Sequence, residues 1–180
     1  SNLRPTEIRL QQGLFDAGVD VAWNRSLSAY NRNPDVTPRR NTETHLAINR
    51  EMQVLSFRQD GKTQALLSLF GVHATCCGNT LDKYSADNKG QAAFQTETAL
   101  EQQGATQPVA IFAQATCGDV SPFYHGPGDK TRRAAIKGNA HYAYAHSNGK
   151  RQSERALALL GASSAPLDGL LDGLLHYVDF

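Results

Sequence analysis

Apolar and polar positions change their spacing several times along the chain, and each change marks an element. Residues 17–23, Ala-Gly-Val-Asp-Val-Ala-Trp, alternate and predict a strand. From Asn24 to Asn49 the chain is polar, with Pro34, Pro38, Arg39 and Arg40, and reads as a long loop, which in a compact domain is more often functional than idle. Met52–Phe57 and Gln64–Val72 are β-rich runs joined across Asp60-Gly61, a hairpin signal. The second run is almost wholly apolar, as expected of a central strand covered on both faces. Asp87 is placed to cap a helix from Asn88 to Gln103, with Ala92, Thr96, Ala99 and Leu100 on one face and Gly104 as its stop. Pro108–Ala113 is a further short buried strand. The last third is helical in pattern, with Ala156–Leu160 closing one helix, although Asn148-Gly149 would break it on propensity alone. Leu175–Phe180 alternates again and predicts a final strand that ends abruptly, as if the chain were cut there.

The order strand, helix, strand over 64–113 is a βαβ unit, which forces its two strands parallel through a right-handed crossover. The fold class is therefore α/β, a mixed and mostly parallel sheet flanked by helices. In such sheets ligands bind beyond the carboxyl ends of the strands. Two loops follow those ends: Val72-His73-Ala74-Thr75 and Gly118-Asp119-Val120-Ser121-Pro122. His73 and Ser121 are predicted to meet on one edge of the sheet.

Composition narrows the classes. A length of 180 residues suits a single domain that buries roughly two thirds of its unfolded surface. Lys and Arg number 18 against 17 for Asp and Glu, and neither a basic stripe nor an acidic tail occurs, so nucleic acid is not the expected partner. No apolar run is long enough for a transmembrane segment. Ser1-Asn2 has the look of a cloning scar. The adjacent pair Cys76-Cys77 fits no common zinc or redox spacing and reads as soft wall residues beside His73.

Each candidate has a plain structural alternative. Ser121 precedes Pro122, which pushes its backbone to the extended region and suggests a fixed, exposed hydroxyl, while an ordinary Asp-Ser-Pro turn explains it as well. Gly118 lets the chain turn tightly ahead of it, and Asp119 can tie that turn. His73 alone is more often a hydrogen-bonded loop histidine than a ligand. Asp87, Asn88 and Lys89 could polarise a substrate, but a capped helix start accounts for them equally. His125, His141, His146 and His176 lack partners at metal-binding spacing. Asn24-Arg25-Ser26 matches a glycosylation sequon and reads more simply as the start of a solvated loop. Neither G-x-S-x-G nor H-E-x-x-H occurs.

Taken together, the motifs resemble the neutral (non-lysosomal) ceramidase family, from about Gly13 to Phe180. Gly118-Asp119-Val120-Ser121-Pro122 is similar to that family's active-site Gly-Asp-Val-Ser-Pro signature. Leu69-Phe70-Gly71-Val72-His73 is similar to its strand ending in a zinc-binding histidine, and Ser85-Ala86-Asp87-Asn88-Lys89-Gly90 to its Ser-x-Asp-Asn-Lys-Gly turn. Asn24-Arg25-Ser26, Glu51-Met52 and Tyr177-Val178-Asp179 resemble further segments, and members carry Gly in the helix that holds Gly149.

The resemblance implies a zinc-dependent hydrolase that cleaves the amide of ceramide, or of a related N-acyl lipid, to sphingoid base and fatty acid. It implies His73 as one zinc ligand, the remaining ligands (a second His, a Glu and a Tyr) lying outside this chain. Residues 1–180 would then be a central fragment of the catalytic domain, inactive by itself. Ser121 would be catalytic, as nucleophile or as the group that positions the carbonyl and developing oxyanion. No His-Asp pair is evident to deprotonate it, which favours positioning. Asp119, Gly118, Asp87 and Asn88 would support substrate or loop. The partner would be a ceramide-like lipid, compatible with membrane-surface contact by the parent protein, and the setting secreted or cell envelope. Cys76-Cys77 and Phe123-Tyr124-His125 depart from better-known members and bear on substrate identity. The rival readings are a metal-dependent amidase or esterase with another substrate, and a non-catalytic binding domain on the same scaffold.

Overall fold

The structure is a computed structural model that describes residues 4–123, 129–170 and 172–178. Its centre is a four-stranded sheet ordered β1-β3-β4-β5, with β1 at Glu7–Leu14, β3 at Glu51–Gln59, β4 at Lys62–Leu69 and β5 at Val109–Ala113. A separate two-stranded ribbon joins β2, Trp23–Asn24, to β6, Val120–Ser121. The helices are α1 (Leu27–Tyr30), α2 (Asp87–Gln102), α3 (Asp129–Ala135) and α4 (Ala140–Leu160).

The hairpin forms as its turn chemistry requires. Asp60 and Gly61 both take positive φ, 51° and 76°, and β3 and β4 pair antiparallel across them. The βαβ unit forms too: β4 and β5 pair in parallel, Leu67 opposite Ile111, with α2 as the crossover. The sheet is thus mixed, as expected, but carries more antiparallel pairing than expected, because β1 adds antiparallel to β3.

Burial alternates along the strands. Met52, Val54, Ser56, Leu66, Ser68, Ala110 and Phe112 are buried on one face, against which α2 and α4 pack. On the other face Leu10, Leu55, Leu67 and Ile111 form one cross-strand row. α2 and α4 also pack tightly on each other, and Gly149 is the reason they can. A Cβ there would lie 2.6 Å from Asn88 O and 2.8 Å from Ala92 N. The Asn148-Gly149 pair therefore does not break α4, because close helix contact outweighs glycine's poor propensity.

Three expectations are corrected. Residues 17–23 are not a strand: only Trp23 and its successor Asn24 pair, and the rest turns. The polar 24–49 segment is broken by α1 and a 3₁₀ turn at Thr44–Leu46. Residues 175–178 carry no strand, since a strand needs a ladder partner; Asp179 and Phe180 lie outside the described residues, as do Ser1-Asn2, Tyr124 and His125.

Candidate functional site

Beyond Leu69 the chain leaves the ladder but stays clamped to the end of β5. Phe70 N–H donates to Ala113 O at 3.4 Å. The Gln114 side-chain amide then stands in for a strand, accepting from Val72 N at 3.2 Å and donating to Val72 O at 2.6 Å. Gly71 permits the approach, since a Cβ there would lie 2.2 Å from Thr116 O.

This clamp delivers His73 to the Ser121 segment. The backbone N–H of His73 donates to Val120 O at 3.2 Å, and its ring Nδ1 lies 2.8 Å from the same oxygen. A carbonyl only accepts, so Nδ1 carries the proton and the neutral ring keeps a lone pair on Nε2. Val120 and Ser121 are consecutive, so the two candidate residues meet on one edge, as the crossover argument requires.

Ser121 differs from expectation in one respect. It is paired opposite Trp23 and only 5% exposed, so its hydroxyl is not a protruding one. Its Oγ accepts from Phe123 N–H at 3.1 Å, the short turn that Pro122 allows. Asp119 does not tie its own turn; its Oδ2 accepts from Asn24 Nδ2 at 2.6 Å, and its carbonyl accepts from Arg25 N–H. Gly118 and Asp119 do form the centre of a tight turn, closed by Val120 N–H donating to Cys117 O at 2.9 Å. Gly118 is not among the positive-φ residues, however, and a Cβ there would meet open space, so the turn does not require glycine. What Gly118 offers is its carbonyl, which accepts from the Arg25 guanidinium at 3.1 Å.

The start of α2 holds the far side of the His73 loop. Asp87 has φ of 53°, and its carboxylate accepts from the backbone N–H groups of Cys76 (3.0 Å), Cys77 (2.7 Å) and Asn88 (2.7 Å). It serves the loop rather than simply capping the helix, whose N-cap Ala86 makes no side-chain bond. Asn88 is fully buried and donates to His73 O at 3.1 Å. Asp87 and Asn88 thus fix loop geometry. Lys89 turns into the protein, donating to Phe70 O (2.8 Å) and Gln152 Oε1 (3.0 Å), which removes it from the substrate side. Burial holds its pKa down to about 7.

The cysteines form no disulfide. Desolvation, aided by the Asp87 charge, pushes the Cys76 thiol far up, and desolvation also raises Cys77. Both disfavour the thiolate that a metal requires. Among the described residues no three His, Cys, Asp or Glu side chains gather into a group that could hold a metal ion. His141 Nδ1 lies 3.2 Å from both Gly78 N and Cys76 O, and His146 Nδ1 lies 3.0 Å from Gln91 Oε1.

Sequence reasoning missed two organising side chains. Asn24 is almost wholly buried and bonds Ala47 O and Asp119 while accepting from Ser26 N–H, so in this fold it cannot carry a glycan. Gln114 follows an apolar strand with nothing local to flag it.

The chain matches the family described as neutral/alkaline non-lysosomal ceramidase, N-terminal, over residues 1–180. It belongs to that family. The match is to the N-terminal domain, which corrects the expectation of a central fragment. It is 30% identical to a neutral ceramidase of Pseudomonas aeruginosa, over 99% of this chain and 26% of that protein. It is 33% identical to neutral ceramidase A of Dictyostelium discoideum, over 70% of this chain and 18% of that one. A solved structure described as ceramidase complexed with C2 superposes with a TM-score of 0.75 at 28% identity, covering 94% of this chain and 24% of the other. The P. aeruginosa crystal structure gives 0.74 at 28% identity, with coverages of 94% and 25%. The chain therefore spans about a quarter or less of the length of these relatives.

Proposed function

We propose that the protein carrying this segment is a zinc-dependent hydrolase of the amide bond in ceramide or a related N-acyl lipid. Family membership supports the reaction class, and one geometric observation carries the site: His73 and Ser121 are joined through the Val120 carbonyl. A histidine whose Nδ1–H is held by a backbone carbonyl has its tautomer and ring set for metal binding through Nε2. The residues fit zinc as a partial set, His73 being one ligand and the remainder coming from outside residues 1–180. Bound zinc would supply Lewis-acid polarisation of the scissile carbonyl and a water of lowered pKa.

The chain's own residues do the holding. Val120 O and Asn88 fix His73 from its ring and backbone sides, and Asp87 fixes the loop behind it. Ser121 Oγ, accepting from Phe123 N–H, keeps its proton to donate. That suits a wall hydroxyl that hydrogen-bonds the amide carbonyl or its developing oxyanion. Among the described residues no base hydrogen-bonds Ser121 Oγ, and the Nδ1 of His73 is engaged by Val120, so positioning is favoured over nucleophilic attack. No described helix is long and apolar enough to cross a membrane. The family resemblance, independently of that, is the support for a secreted or cell-envelope setting in which the protein would meet lipid at a membrane surface.

The test uses the longer protein. His73→Ala should lose zinc and nearly all ceramide hydrolysis, whereas Ser121→Ala should keep zinc and lose at least tenfold in turnover. A fully active Ser121→Ala protein would remove the serine from the mechanism. Residues 1–180 alone should neither bind zinc stoichiometrically nor hydrolyse ceramide; tight binding with turnover would place the ligand set inside this segment. Full zinc without hydrolysis of any acyl amide would favour the binding-domain reading.

A further inference from the structure

The turn that carries Ser121 has a second side. Phe123 stacks on Tyr144, ring centroids 4.9 Å apart and planes 5° from parallel, and the Tyr144 hydroxyl donates to Pro122 O. The Arg133 guanidinium lies over the Phe123 ring, 4.8 Å from its centroid. These side chains wall a cavity of about 310 Å³, completed in part by Trp23, Ile136 and Arg151. That volume is at the lower end of small-ligand pockets, which run from about 300 to 1,000 Å³.

The lining has two characters. Trp23, Phe123, Ile136 and Tyr144 supply apolar and aromatic surface. Arg132, Arg133 and Arg151 line it together with Asp20 and Asp129, a formal surplus of one positive charge. Arg133 is steadied by Asp129 at 3.7 Å, and Arg151 by Ser147 O (3.1 Å) and Oγ (2.8 Å) on its own helix. Those contacts orient the guanidinium groups without using all five N–H donors of each. Guanidinium forks beside an aromatic wall select a planar or tetrahedral oxyanion attached to an apolar chain.

We propose that this cavity binds a single-chain amphiphile with an anionic head, the head on Arg133 and Arg151 and the chain against Trp23 and Ile136. Naming the ligand as the fatty acid released from the lipid amide rests on the function proposed above; the cavity's chemistry does not. Occupancy would bear on Ser121 through Phe123, whose N–H is bonded to the serine oxygen.

Trp23 is the only tryptophan of the chain, so its emission reports on the cavity directly. The 180-residue protein is titrated with octanoate, octyl phosphate, octanol and inorganic phosphate, each below its aggregation concentration. Octanoate should change Trp23 emission saturably, with octanol and inorganic phosphate at least tenfold weaker. Octyl phosphate weaker than octanoate identifies a fatty acid, and octyl phosphate stronger identifies a lipid phosphate head. The double variant Arg133→Gln, Arg151→Gln should weaken octanoate at least tenfold with an unchanged far-ultraviolet circular dichroism spectrum. Should that variant unfold, the head-group comparison on the unmodified chain decides. Octanol binding as well as octanoate, inorganic phosphate binding as well as octanoate, or a folded chain with no saturable response would each overturn the proposal. None of these outcomes depends on whether the longer protein hydrolyses ceramide.

Discussion

Asp87 concentrates several roles in one carboxylate. It accepts from three backbone N–H groups and does so from a left-handed conformation that Asp tolerates better than most residues. Hydrogen bonds to a charged acceptor are worth about 1.5–3 kcal/mol each, and the donors would be left buried or half-buried without it. Asp87→Ala should therefore destabilise the chain by about 3 kcal/mol or more in urea unfolding. Asp87→Asn, which keeps one acceptor oxygen and the same backbone tolerance, should cost less than half of that. Equal losses for the two variants would show that the charge, not the acceptor geometry, holds the His73 loop. At this scale the candidates His73 and Ser121 were legible, because each lies in the segment beyond the carboxyl end of an apolar strand. The burial of Ser121 was not, because it depends on Trp23, nearly a hundred residues away in sequence and opposite it in the ribbon.

The elements show the same division between local chemistry and distant packing. The hairpin and the crossover were readable from Asp60-Gly61 and from the change of apolar period, both local signals. The persistence of α4 through Asn148-Gly149 was not readable from propensity, because the reason is the adjacent α2 backbone. Replacing a mid-helix Gly by Ala ordinarily gains about 1 kcal/mol, yet at 149 the new Cβ would meet Asn88 O and Gln91 Cβ, each at 2.6 Å. Gly149→Ala should lower stability by about 1–3 kcal/mol, the usual cost of overpacking. Gly118→Ala, with open space around the new Cβ, should stay within about 0.5 kcal/mol of the unmodified chain. Thermal melting of the two variants side by side decides the matter, and a neutral Gly149→Ala would mean that the helices separate at little cost.

For the whole molecule the clearest readout is the pH dependence of stability. Lys89 has its folded pKa near 7 against an ordinary 10.5, so between those values the unfolded chain binds the extra proton. Stability then rises with pH from about 7. Cys76 and Cys77, ordinarily near 9, and Tyr144, ordinarily near 10, are shifted the other way, chiefly by burial. The unfolded chain gives up those protons first, so stability falls as pH passes about 9. Guanidinium unfolding from pH 6 to 10 should show a maximum near pH 8–9, and Lys89→Met should flatten its acidic side. An unchanged slope in that variant would mean that Lys89 titrates normally in the folded chain. Lys89 also marks the limit of what could be read in advance. By itself the sequence determined the hairpin, the parallel crossover with its helix α2, and the edge where His73 and Ser121 emerge. Each of these follows from short-range periodicity, turn residues and the handedness of the chain. Only the tertiary structure decided that Glu7–Leu14 becomes a strand, by pairing along β3. It alone decided that Trp23–Asn24 lies against Val120–Ser121, and that Lys89 turns inward to Phe70 and Gln152. Those outcomes rest on hydrogen-bond partners that become neighbours only once the chain has folded, and a polar group shows no local trace of the partner it will find.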